Sequence, residues 1–138
     1  MESLFVMAQV APTEYPKDNL EKADSLVKEA AEKYHPGMII FPETFMSRFP
    51  AGTDIATANA VAEPLDGEFV QGMKKLAADH DVWLTFGMKE TIEDPADHRC
   101  YNTVVMVNNK GEIVQTYRKT HLYLSLIHIS EPTRLDVI

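Results

Sequence analysis

Apolar residues run along the chain in two rhythms. Residues 4–10 form a short apolar run closed by Ala11-Pro12-Thr13, which reads as a buried first strand. A loop with two prolines follows. Leu20, Ala23, Leu26, Val27, Ala30, Ala31 and Tyr34 then recur at helical spacing, one apolar stripe on a packed helix. Asp18 is placed to cap that helix, with Glu21 three residues on completing a capping box. His35-Pro36-Gly37 ends it, because proline cannot continue a helix and glycine tolerates a left-handed exit. Residues 38–41, Met-Ile-Ile-Phe, form a fully apolar strand that stops at Pro42-Glu43. Strand, helix and apolar strand predict a βαβ unit with a buried parallel sheet.

Residues 44–64 are irregular, and a loop of that length is usually functional or disordered. Phe69, Val70, Met73, Leu76 and Ala77 mark a second amphipathic helix, opened near Asp66-Gly67. Residues 82–88 read as a strand and residues 90–98 as a polar loop. Residues 103–107 and 112–119 are two further strands. Asn108-Asn109-Lys110-Gly111 between them predicts a hairpin turn, with Asn and Gly supplying positive φ. The predicted order is β-α-β-loop-α-β-β-β, an α/β fold without internal repeats.

Residues 124–138 break the pattern, and nothing caps or closes them. They look like the translated read-through of a sequencing adapter and are expected to be foreign to the fold. The expected organisation is a partial domain over 1–123 and a non-native tail over 124–138.

Composition narrows the class. With 138 residues, 45% hydrophobic and 25% charged, the chain has the profile of one ordinary globular domain. A disordered tail, a collagen-like repeat and a coiled coil are ruled out. The net charge of −8 is a poor fit to nucleic acid or to an anionic membrane. One cysteine excludes an internal disulfide and a cysteine-rich zinc site. No run reaches the roughly 18 apolar residues of a membrane span. The N-terminus lacks the basic stretch of a signal peptide, so a cytoplasmic location is expected.

Two segments carry candidate chemistry. Phe41-Pro42-Glu43-Thr44-Phe45 puts a carboxylate at the end of an apolar strand. Tyr117-Arg118-Lys119-Thr120-His121-Leu122 puts a lysine at the end of a later strand. Ligand crevices of open α/β sheets lie beyond the carboxyl ends of strands. A partly desolvated Glu43 is expected to have a raised pKa and to serve as a general base. A buried Lys119 ammonium would stabilise an oxyanion. The plain alternative is an ion pair that closes a strand end.

These segments resemble those of the nitrilase superfamily of carbon–nitrogen hydrolases. Ala8-Gln9 is similar to the end of the family's first strand, and Phe41-Pro42-Glu43 to the segment bearing its general-base glutamate. Leu65-Asp66-Gly67 resembles the approach to its second helix. Tyr101-Asn102-Thr103 resembles the opening of its central strand pair, and residues 117–122 its catalytic-lysine segment. The motifs fall in order, with fitting gaps, from residue 4 to about 123. The resemblance implies the N-terminal part of an α-β-β-α sandwich and a Glu-Lys-Cys triad. Glu43 would be the general base, Lys119 the oxyanion stabiliser and His121 a supporting residue. It implies a small amide or nitrile substrate, no metal or organic cofactor, and an intact parent that is at least a dimer.

One departure is large. The family's nucleophilic cysteine follows the lysine, yet no cysteine follows Lys119. Cys100, just before Tyr101-Asn102, is not at that position and reads as a free thiol. The chain as written is therefore expected to be inactive, a fragment of a hydrolase or a non-enzymatic binding protein of the same fold. Missing strands would leave apolar faces uncovered and favour aggregation. Asp79-His80-Asp81 and residues 94–98 place carboxylates beside histidines without a recognised metal-ligand spacing, and read as solvated loops. Arg48 reads as a solvated or structural arginine rather than a contact to a substrate carboxylate. No glycine-rich phosphate loop is present.

Overall fold

The computed structural model describes residues 3–94 and 96–119. Its elements are β1 (Phe5–Met7), α1 (Pro16–Tyr34), β2 (Met38–Ile40), α2 (Ile55–Asn59), α3 (Glu68–Asp79), β3 (Trp83–Thr91), β4 (Cys100–Val107) and β5 (Ile113–Arg118). The strands form one sheet in the order β1-β2-β3-β4-β5. β1, β2 and β3 are parallel, and β4 and β5 continue the sheet antiparallel. This is an α/β fold.

Side chains alternate across a sheet, and here the alternation is decisive. Ile39, Leu84, Phe86, Met88, Val105 and Val107 point to one face and are all buried. The stripes of α1 (Ala23, Val27, Ala30) and α3 (Phe69, Val70, Met73, Leu76, Ala77) join them in one core. Gly72 lets the helices meet, since a Cβ there would stand 2.5 Å from a Leu20 methyl. The opposite face carries Phe5, Met38 and Trp83 in one register row and Met7, Ile40, Thr85 and Met106 in the next. No described helix covers it.

Several expectations change. The first strand is not buried: Phe5 is 59% and Met7 74% exposed, because β1 is an edge strand and both residues lie on the uncovered face. α1 begins two residues before the predicted capping box, with Tyr15 at the cap. Pro16 takes the first turn, where its fixed φ suits a helix and its missing N–H leaves nothing unsatisfied. The left-handed exit falls on His35 (φ 47°) rather than on Gly37, and its N–H donates to the Ala31 carbonyl. In the hairpin turn Gly111 alone has positive φ. Asn108 acts through its side chain, whose oxygen accepts from the N–H groups of Lys110 and Glu112.

The long loop is structured as well. α2 sits within it, capped by Asp54, which accepts from Thr57 N–H at 2.9 Å. The loop then runs beside β3 through a parallel bridge between Glu63 and Glu90. No described helix is long and apolar enough to cross a membrane. The expectations for His121 and for residues 124–138 lie outside the described residues.

Candidate active site

Glu43 stands on a tight turn just past β2. Phe41 and Phe45 flank it, both buried, with ring centroids 4.6 Å apart. Sinking these two rings into the core leaves the residues between them to project outward. Thr44 completes the turn at φ 55°. Phe41 N–H donates to the Thr85 carbonyl and Met46 N–H to the Gly87 carbonyl, so β3 grips the turn on both sides. Asn19, fully buried on α1, holds it from behind. Its side chain accepts from Thr13 N–H at 2.8 Å and donates to the carbonyls of Thr13 (2.8 Å) and Met46 (2.9 Å).

Lys119 follows β5 directly, and its backbone N–H donates to the Asn102 carbonyl at 2.8 Å. That bond continues the β4–β5 register and puts Lys119 opposite Asn102. Both belong to the uncovered face of the sheet. Glu43 Oε1 accepts there from Asn102 Nδ2 at 2.8 Å and from Lys119 Nζ at 3.2 Å. The two strand-end residues singled out by the sequence therefore meet, with Asn102 between them.

The electrostatics differ from expectation. Burial pushes the Glu43 carboxyl up, but the hydrogen bonds from Asn102 and Lys119, with the lysine charge, outweigh it and hold the group below the usual glutamate range. The predicted rise does not occur. Neither side chain is buried, with Glu43 58% and Lys119 45% exposed. The carboxylate is thus ionised at neutral pH, an available proton acceptor whose basicity is held down by its partners.

Cys100 begins β4 on the same face. Burial pushes its thiol up, and the nearby Lys89 charge only partly opposes this. No activated nucleophile is present there. Lys89 instead secures the long loop. Its Nζ donates to the Ala58 carbonyl at 2.6 Å and lies 5.0 Å from the Phe49 ring centroid. Burial lowers the pKa of this lysine. Arg48 is exposed, and its backbone N–H donates to Thr13. The carboxylate-histidine segments have other partners: Asp79 pairs with Lys75, Asp81 accepts from Asn109, and Asp97 pairs with Arg99. Among the described residues no three His, Cys, Asp or Glu side chains gather as a metal cluster.

Sequence reasoning missed Asn19, Gly87, Lys89 and the role of Asn102 toward Glu43. Asn19 alone had a local signal, a polar residue inside an apolar helical stripe.

The family model for carbon-nitrogen hydrolases matches residues 6–137. The chain belongs to the carbon-nitrogen hydrolase family. It is similar to the deaminated glutathione amidase of Mus musculus, at 33% identity over 123 residues, 86% of this chain and 36% of that protein. It is also similar to the 2-oxoglutaramate amidase of Bacillus subtilis, at 28% identity over 109 residues, 78% of this chain and 38% of that protein. A CN-hydrolase superfamily protein from Xanthomonas campestris shares the fold, with a TM-score of 0.70 at 24% identity, over 91% of this chain and 43% of that one. The chain thus spans little more than a third of the length of these curated relatives. At the level of the family the activity is hydrolysis of carbon–nitrogen bonds.

Proposed function

We propose that Glu43 and Lys119 are two members of a Glu-Lys-Cys triad that hydrolyses the amide of a small carboxylic acid. The observation that carries this reading is the 3.2 Å contact between their side chains at the ends of two strands. Relatives named as amidases favour an amide over a nitrile. The nucleophile in this reading is a cysteine encoded beyond Lys119 in a longer product of the gene, with residues 124–138 foreign to it.

Glu43 takes the proton from the cysteine thiol, and the thiolate attacks the carbonyl carbon. The carbonyl π pair moves onto oxygen, where the Lys119 ammonium offsets the charge. The C–N bond then breaks, and the nitrogen leaves as ammonia or an amine with the proton held by Glu43. Water attacks the thioester with Glu43 again as base, releasing the acid and restoring the thiol.

Sequencing the gene past the codon for Tyr123 is the test, followed by an ammonia-release assay on primary amides with the full product. A downstream cysteine and ammonia release that disappears in Glu43→Gln support the reading. A frame that ends at Ile138 overturns it. The absence of any cysteine after Lys119 in this sequence favours a second reading in that event, a non-catalytic protein that keeps the fold for binding.

A further inference from the structure

Behind the Glu43–Lys119 pair, on the helix side of the sheet, lies a second polar cluster that the proposed chemistry does not use. Glu90 is only 5% exposed. Its Oε1 accepts from Thr103 Oγ1 at 2.8 Å and from Arg118 Nε at 2.9 Å, and its Oε2 accepts from Arg118 Nη2 at 2.6 Å. The guanidinium also lies 4.4 Å from the Tyr101 ring centroid. The three members sit on β3, β4 and β5. Each is the chain neighbour of a residue on the other face: Glu90 of Lys89, Thr103 of Asn102, Arg118 of Lys119.

Burying a carboxylate is costly, and an apolar trio would hold three strands together as well or better. A two-pronged Arg–carboxylate pair adds direction instead, because it fixes the plane and reach of the guanidinium. Arg118 is the last residue of β5, where a strand end otherwise frays. Side chains alternate across the sheet, so holding Arg118 on one face orients the next residue toward the other. We propose that Glu90 is a positioning residue: through Arg118 it sets where Lys119 presents its ammonium to Glu43. This inference rests on the reading of Glu43 and Lys119 as the working pair.

The test is the titration of the Glu43 carboxyl, followed by carbon NMR in the full gene product with labelled glutamate. The resonance is assigned by its loss in Glu43→Gln. The groups facing Glu43 are Asn102 from β4 and Lys119 after β5, with Lys89 of β3 on the same face. Lys119→Ala is the reference and raises the midpoint by removing the cation. Glu90→Gln keeps shape and loses charge; it is expected to raise the midpoint toward the Lys119→Ala value. Should Glu90→Gln fail to fold, Arg118→Lys replaces it, keeping the charge and losing the fork. A purely structural role would lower the melting temperature and leave the Glu43 midpoint in place. That result, with Lys119→Ala still raising it, overturns the inference and spares the pair. If Lys119→Ala moves nothing, the pair itself falls and the positioning role with it.

Discussion

Gly87 lies against the peptide that joins Glu43 to Thr44. A Cβ on Gly87 would overlap the Thr44 backbone nitrogen and stand 3.1 Å from both the Cα and the carbonyl carbon of Glu43. The atoms in the way are backbone, held by β3 on both sides, so they cannot rotate aside. β3 is bare at this point because the turn bearing the carboxylate is folded onto it.

Gly87→Ala is accordingly expected to destabilise the protein by about 1–3 kcal/mol, the range for overpacking a filled site. Urea denaturation reads that loss. An unchanged denaturation midpoint would contradict the close approach.

Asn102→Ala removes one of the two hydrogen bonds that hold the Glu43 carboxyl below its usual range. Its midpoint should rise. A depressed carboxyl lends stability above its unfolded pKa and loses it as pH falls through the folded value. The variant should therefore lose part of that stability at neutral pH and show a weaker acid dependence from this group. Denaturation at a series of pH values below 5 checks the sign.

Lys119→Ala separates catalysis from folding. An ion pair this exposed contributes only about 0–1 kcal/mol. The melting transition should barely move, whereas ammonia release by the full gene product should collapse. Glu43→Gln should cost about 10²–10⁴-fold in rate, the scale of a lost general base. A large stability loss with intact turnover would return the pair to a strand-closing role.

Asn19→Ala leaves the Thr13 N–H and the Met46 carbonyl without the partners described above. An orphaned buried group costs about 1–3 kcal/mol. Amide exchange should accelerate at Thr13 and through residues 44–48, ahead of any change in the core of α3.

The helices were legible because apolar spacing is a local property: Ala23, Val27 and Ala30 of α1 lie in the core as the period requires. The meeting of Glu43 and Lys119 was legible because each follows the end of a predicted strand, and strand ends on one side of a sheet converge. The charge state of Glu43 was not legible, since it depends on Asn102, a residue 59 positions away. Gly87 reads as an ordinary small residue until the turn is folded against it. The exposure of Phe5 and Met7 has the same origin, for an apolar strand does not announce whether one face or both will be covered. Asp18 and Glu21 formed a valid capping pattern that a nearby proline displaced.

Cys100 has a practical consequence. Its thiol is half-buried and burial pushes its pKa up, so it reacts slowly with alkylating reagents while the start of β4 is paired. Faster modification would report loosening at the end of the sheet where Asn102 meets Glu43. A fast-reacting thiol in any longer product of the gene is, by the same measure, a different cysteine, and labelling kinetics alone would reveal it.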